Sequence, residues 1–237
     1  MTFKVLVIIP CYNEALNIEQ LYEALRAVSI PGCVLTPLFI NDASGDNTAL
    51  VLRRTGAPFL ENAVNLGIGA TVQTGFLYAL ENNYHLAVQV DGDGQHPPEE
   101  LHKVLSPLVK SECDVVIGSR FLTSGGFRSS VMRRVGIKLF TWLNKKLTGV
   151  TVKDATSGFR AYNRKAIEAL VKYYPDEYPE PESVLYLALK GFRLKEVAVE
   201  MKERQGGVSS INNVAAVYYM AKVVLNILFL RLRIKNV

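Results

Sequence analysis

Leu86-Ala87-Val88-Gln89-Val90-Asp91-Gly92-Asp93-Gly94-Gln95-His96 begins as an apolar run and ends as an acidic, glycine-rich loop. Residues 86–90 read as a short buried strand. The same pattern recurs on either side. Further strands are predicted at 5–9, 38–40, 58–60 and 115–117, and helices at 14–28, 48–54, 69–80 and 97–110. Repeated alternation of strand and helix argues for an α/β fold, a mostly parallel central sheet with helices on both faces. In such sheets ligands bind beyond the carboxyl ends of the strands. The polar clusters 10–14, 41–46 and 91–96 each follow a predicted strand and fall there.

The second half of the chain is less regular. A basic amphipathic helix is expected over 129–147, and a loop or short strand over 154–163. Pro175, Pro179 and Pro181 break the chain before a helix at 183–190. A strand follows at 194–199, a Gly/Ser loop at 205–210 and a long apolar helix at 214–230. No internal repeat or clean linker divides the chain. The reading is one domain over 1–210 with a C-terminal apolar and basic helix over 211–237.

Composition narrows the function classes. The chain has 237 residues, 49% hydrophobic and 21% charged, with a formal net charge of +5. That is an ordinary globular balance with a mild positive excess suited to phosphate-rich ligands or anionic lipid. No nucleic-acid-binding signature is found, so nucleic acid is not an expected partner. Cys11, Cys33 and Cys113 are scattered and form neither a metal-type pair nor a disulfide framework. The apolar run at 5–9 is too short for a signal peptide, and a reduced, cytoplasmic protein is expected.

Asp91 and Asp93 stand one residue apart at the end of a strand, with glycines that let the backbone turn tightly. Two hard oxygen donors in an open loop suit Mg²⁺ or Mn²⁺, with diphosphate oxygens completing the shell. A solvated Asp-Gly turn is the plainer alternative. A calcium EF-hand is excluded, because His96 and His102 occupy the positions that need Gly and Glu. Asp42, at the end of the second strand, could accept hydrogen bonds from a nucleobase or a ribose. Asp46 reads better as a cap for the following helix. Gly67-Ile68-Gly69 fails the dinucleotide fingerprint, because Val72 stands where the third glycine belongs.

The order of the blocks resembles family 2 glycosyltransferases of the GT-A fold, especially polyprenyl-phosphate glycosyltransferases related to dolichyl-phosphate mannose synthase. The blocks are Ile8-Ile9-Pro10-Cys11-Tyr12-Asn13-Glu14, Asn41-Asp42-Ala43-Ser44-Gly45-Asp46, Asn65-Leu66-Gly67-Ile68-Gly69, Asp91-Gly92-Asp93-Gly94-Gln95-His96-Pro97-Pro98-Glu99, Gly118-Ser119-Arg120-Phe121 and Ser157-Gly158-Phe159-Arg160. Together they cover the chain from about residue 4 to about residue 210. The resemblance implies a Rossmann-like GT-A domain and an inverting, metal-dependent transfer of a hexosyl or N-acetylhexosaminyl group. The donor would be a nucleotide sugar and the acceptor a polyprenyl phosphate. Pro10, Tyr12, Glu14 and Asp42 would line the base and ribose pocket. Asp91, Asp93 and Gln95 would hold Mg²⁺ or Mn²⁺ on the donor diphosphate. Arg120, with Arg133 or Arg134, would meet the acceptor phosphate, and Arg204 would close over the donor phosphates from a mobile loop. For Arg133 and Arg134 a solvated helix face is an equal alternative.

A phosphate acceptor is already ionised and needs no strong base, whereas a saccharide hydroxyl would need one. Glu180 and Glu182 are the candidates, with a charged, proline-flanked turn as the alternative reading. Transfer to a saccharide hydroxyl in cell-surface polysaccharide assembly is therefore the second enzyme reading. A catalytically silent nucleotide-sugar-binding scaffold is the reading from another class. A processive synthase is disfavoured by the lack of a Gln-x-x-Arg-Trp segment. The helix at 214–230 falls short of the roughly 20 residues that span a bilayer. With Arg231, Arg233 and Lys235 after it, it is expected to dock on a membrane, a small membrane partner protein or another subunit. The expected enzyme is peripheral on the inner face of the membrane and homo-oligomeric.

Overall fold

Valine, leucine and isoleucine alternate between two buried faces along the first strand, β1 (Phe3–Cys11). Val5, Val7 and Ile9 join one core cluster, while Leu6 and Ile8 join the other. A strand covered on both faces has no solvent side, so its sequence is a continuous apolar run. A computed structural model of the chain describes residues 2–122, 131–175, 179–202, 222–227, 229–231 and 233.

After β1 come α1 (Ile18–Ala27), β2 (Cys33–Asn41), α2 (Thr48–Thr55), β3 (Phe59–Glu61), α3 (Gly67–Glu81) and β4 (Leu86–Gln89). A 3₁₀ turn at Pro98–Glu100 leads into α4 (Leu101–Val109) and β5 (Val115–Ser119). Then follow α5 (Val131–Thr148), β6 (Arg160–Asn163), α6 (Arg164–Lys172), α7 (Pro179–Leu189) and β7 (Leu194–Ala198). The sheet order is β3-β2-β1-β4-β6-β5-β7. All pairings are parallel except those of β6, which runs antiparallel between β4 and β5. The expected mixed α/β architecture is present, with this one reversed strand inserted. Helices α1, α2 and α4 cover one face, and α3, α5, α6 and α7 cover the other.

Several boundaries differ from expectation for local reasons. Helix α1 starts at Ile18 rather than at residue 14, and its buried stripe is Ile18, Leu21 and Leu25. Helix α7 starts at Pro179 rather than Ser183. Both prolines lie in its first turn, where the N–H that proline lacks has no helical partner in any case. Helix α6 had no counterpart in the sequence-based reading. Asn163 caps it, its side chain accepting from the Ala166 N–H at 2.9 Å.

The described C-terminal residues are helical at 222–227, 229–231 and 233. Val223, Ile227 and Leu230 are buried in the same core as β1 and α3, while Leu225 and Phe229 are exposed. One face of the expected docking helix is thus occupied by the chain's own core. Among the described residues no helix is long and apolar enough to cross a membrane. The remaining residues of 203–221 lie outside the described part, and so does the Gly/Ser loop expected there.

Helix α3 packs closely enough on β1 for Gly75 to touch Ile8. A β-carbon at Gly75 would stand 2.8 Å from Ile8 Cγ1 and 2.9 Å from Cδ1, nearer than atoms approach without movement. Gly75→Ala is expected to destabilise the protein by about 1–3 kcal/mol through overpacking, despite alanine's better helix propensity. A urea titration that shows no loss of stability would mean that α3 does not seat against β1 in this way.

Candidate active site

Strands β2, β1 and β4 are neighbours and parallel, so the loops that leave them emerge side by side. Asn13 joins the first two. It adopts a left-handed conformation, φ 58°, which asparagine tolerates better than most residues. Its side-chain oxygen accepts from the N–H groups of Gly45 at 2.9 Å and Asp46 at 3.3 Å, and its own N–H donates to Ser44 Oγ at 2.9 Å. Asp46 accepts from the first N–H of α2, at Thr48, and from Ala15. Burial alone would raise the Asp46 carboxyl, but these hydrogen bonds hold it below its ordinary range. The N-cap residue of α2 is Asn47 rather than Asp46, but the Asp46 side chain still takes the helix's first N–H and ties the first loop to the second.

Between the loops lies a cleft of about 430 Å³, lined in part by Pro10, Tyr12, Glu14, Asp42, Asp91 and Asp93. Tyr12 and Ile68 are exposed apolar side chains on its wall, suited to a flat ring. Asp42 is buried, and its carboxylate accepts from Asn62 Nδ2 at 2.8 Å and from the N–H groups of Leu66 and Gly67 at 2.9 Å each. It thus caps α3, where the backbone N–H groups favour an anion. Three of its roughly four lone-pair sites are filled, which leaves about one for a ligand. Glu14 accepts from Asn17 Nδ2 at 2.7 Å.

Asp91 and Asp93 follow β4 and line the same cleft. Asp91 Oδ1 accepts from Gln89 Nε2 at 3.0 Å, and Asp93 Oδ1 accepts from the Gln95 N–H at 3.0 Å. The N–H that Asp93 accepts belongs to Gln95, the third donor expected for the ion. Gly92 leaves no room for a side chain, since a β-carbon would stand 2.8 Å from Cys11 Sγ and 2.9 Å from the Pro10 carbonyl. The donor set fits a hard divalent ion: two carboxylates on one open wall. Among the described residues no group of three His, Cys, Asp or Glu could hold an ion alone. An ion here would complete its shell with ligand oxygens and water, as Mg²⁺-type sites do.

Loop 154–159 forms the back of the site. Gly158 abuts the Asp91 carboxylate, and Phe159 stacks on His96 with ring centroids 5.0 Å apart. Arg160 is fully buried and donates to the carbonyls of Ser157, Ala155 and Glu180 and to Ser183 Oγ, at 2.7–3.0 Å. Arg120, expected to meet an acceptor phosphate, is buried in a bidentate pair with Asp154, Nε to Oδ2 at 2.8 Å and Nη2 to Oδ1 at 2.7 Å. Positions 133 and 134 fall in the first turn of α5, and their side chains lie outside the described part. Arg204 also lies outside it.

The two glutamates of α7 separate. Glu182 is buried and hydrogen-bonded to the Tyr173 hydroxyl, with Asn226 Nδ2 at 3.4 Å. It does not line the cleft. Burial pushes the Glu180 carboxyl up, and Arg160 draws it back in part. Sequence reasoning missed Gln89, Asn13 and Asp154, and met His96 only as a misfit to a calcium loop. Their signal is weak in sequence, because each acts by hydrogen bonds to residues whose closeness the fold decides.

Residues 6–171 match the Glycosyl transferase family 2. Polyprenol monophosphomannose synthase from Mycolicibacterium smegmatis is 31% identical over 89% of this chain and 82% of its own length. Undecaprenyl-phosphate mannosyltransferase from Micrococcus luteus is 28% identical over 88% of each chain. Among solved structures, glucosyl-3-phosphoglycerate synthase from Mycobacterium tuberculosis, in complex with Mn²⁺, UDP-glucose and phosphoglyceric acid, superposes with a TM-score of 0.74. At 16% identity, over 97% of this chain and 80% of that one, the likeness is one of fold.

The placement of Glu182 generates a test. Glu182→Gln is expected to leave turnover within about twofold and to lower stability by about 1.5–3 kcal/mol, the range for a hydrogen bond to a charged group. Loss of turnover beyond about tenfold at unchanged stability would return Glu182 to the chemistry.

Proposed function

We propose that this chain, which belongs to glycosyl transferase family 2 and is a glycosyltransferase, moves a sugar from a nucleotide-sugar donor to a polyprenyl phosphate with inversion at the anomeric carbon. The observation that carries the reading is the Asp91–Asp93 pair, set on the wall of a cleft between the carboxyl ends of β1, β2 and β4. The polyprenyl-phosphate acceptor is supported by relatives whose names specify such lipids.

Tyr12 and Ile68 flank the nucleobase, while Glu14 and the remaining acceptor site on Asp42 meet base or ribose. The donor diphosphate lies along Asp91 and Asp93. Mg²⁺ or Mn²⁺ bound by these two carboxylates supplies Lewis-acid stabilisation of the charge on the departing phosphate. Arg204 adds fixed N–H donors to that charge. The acceptor phosphate oxygen attacks the face opposite the leaving group: the new carbon–oxygen bond forms as the bond to the nucleoside diphosphate breaks. An ionised phosphate nucleophile needs no base, which agrees with the engagement of Glu182 by Tyr173.

Transfer to a saccharide hydroxyl is the second reading. Glu180, whose carbonyl accepts from the buried Arg160 at the back of the site, is the carboxylate that this reading would need. The outward residues Leu225 and Phe229, with Arg231 and Arg233 nearby, support a peripheral seat at the inner membrane face, on lipid, a small membrane partner or a second subunit. Assay of several nucleotide sugars against undecaprenyl phosphate, dolichyl phosphate and saccharides separates the acceptors.

Asp93→Ala is expected to lower turnover by at least about 10²-fold. Its thermal midpoint is expected to stay within about 4 °C of the parent. EDTA should likewise stop transfer, and Mg²⁺ or Mn²⁺ should restore it. Near-normal turnover of Asp93→Ala would sink the metal assignment.

A further inference from the structure

We propose that His96 and Gln89 are positioning residues that hold the Asp91 carboxylate in the one orientation that receives a divalent ion, a proposal that rests on Asp91 being a ligand. The Asp91 side chain is 32% exposed. A carboxylate that open ordinarily samples several staggered rotamers. Here three groups confine it. Gln89 is buried at the end of β4 and donates from Nε2 to Asp91 Oδ1 at 3.0 Å. His96 Nδ1 accepts from the Asp91 N–H at 3.0 Å. In the neutral ring that assigns the proton to Nε2, since the two nitrogens divide donor and acceptor roles. Nε2 stands 3.6 Å from Asp91 Oδ2, beyond a direct hydrogen bond but close enough for the N–H dipole to act on the charge. The ring is fixed in turn, being buried and stacked on Phe159 at an interplanar angle of 18°.

Gly158 closes the third side. A β-carbon there would stand 3.0 Å from Oδ2, 3.2 Å from Oδ1 and 3.1 Å from Gln89 Nε2. The observed orientation of Asp91 therefore needs a donor on one oxygen, a dipole facing the other and glycine behind both. Groups that orient a metal's ligands affect its affinity by roughly 10–100-fold.

Two substitutions separate positioning from packing. His96→Asn keeps an acceptor near the Nδ1 position for the Asp91 N–H and removes the group that faces the carboxylate. Gln89→Leu removes the donor at similar volume. Mn²⁺ affinity is measured by electron paramagnetic resonance, with UDP and with GDP in separate titrations, alongside thermal midpoint and nucleotide affinity without metal. Each variant is expected to bind Mn²⁺ about 10-fold more weakly, at near-parent stability and unchanged metal-free nucleotide affinity. Gly158→Ala should do the same, and His96→Gln, which restores an amide near the Nε2 position, should weaken Mn²⁺ less than His96→Asn. If His96→Asn does not fold, Gln89→Leu carries the test. Parent-like Mn²⁺ affinity in Gln89→Leu and in every folded His96 variant, while Asp91→Asn loses it, would overturn the positioning role and leave the metal assignment standing. Parent-like affinity in Asp91→Asn would overturn both.

Discussion

The buried Arg160 guanidinium joins the loop behind the cleft to the start of α7. Arg160 lies opposite Gln89 in the β4–β6 register, and its nitrogens reach the carbonyls of Ala155, Ser157 and Glu180 and the hydroxyl of Ser183. It thereby fixes loop 154–159 to the start of α7. Hydrogen bonds from a charged donor are each worth about 1.5–3 kcal/mol, and a buried charge without them is costly. Gly158 and Phe159 ride on this loop, one against Asp91 and the other against His96. The antiparallel insertion of β6 is what brings them there, because only a strand reversed beside β4 places its leading loop against the end of β4.

The first half of the fold was legible because its signals are local. Strands buried on both faces write themselves as apolar runs, and the polar loops that follow them mark the ligand-binding end. Tyr12, Glu14, Asp42, Asp91 and Asp93 were expected together and do line one cleft. What escaped is non-local. The resemblance implied an acceptor-phosphate role for Arg120, whose partner Asp154 is 34 residues away. Glu182 looked like a base in a turn, yet it faces Tyr173 on one side and Asn226, 44 residues on, on the other. Prolines at 179 and 181 suggested a break, although in a first helical turn they cost no hydrogen bond.

The C-terminal helix was expected to dock outside the domain, and its described residues also face inward. Its apolar residues surround most of its circumference, which suggested docking elsewhere. Val223, Ile227 and Leu230 recur at helical spacing and enter the core of this same domain. Among the described residues of this helix, Leu225 and Phe229 remain outside and are open to a further contact. Burying a large apolar side chain is worth about 1.5–3 kcal/mol, so the inward face also contributes to the stability of the catalytic domain.

The carboxylates of the cleft are sorted by what already holds them. Asp42 is occupied by the α3 N-terminus, and Glu14 accepts from Asn17. Cys11, between them, is pushed well above its ordinary range by burial and then by Glu14, Asp91, Asp46 and Asp93, so it stays a thiol and offers no nucleophile. Asp91, held by Gln89, and Asp93, which accepts from the Gln95 N–H, form the acidic wall, in a chain whose formal net charge is +5. A diphosphate placed against that wall without a cation would be repelled. A cation without the diphosphate would have too few protein ligands, since no three acidic or sulfur or imidazole groups converge among the described residues. On the proposed reading each supports the other, so ion and donor are expected to bind as a linked pair.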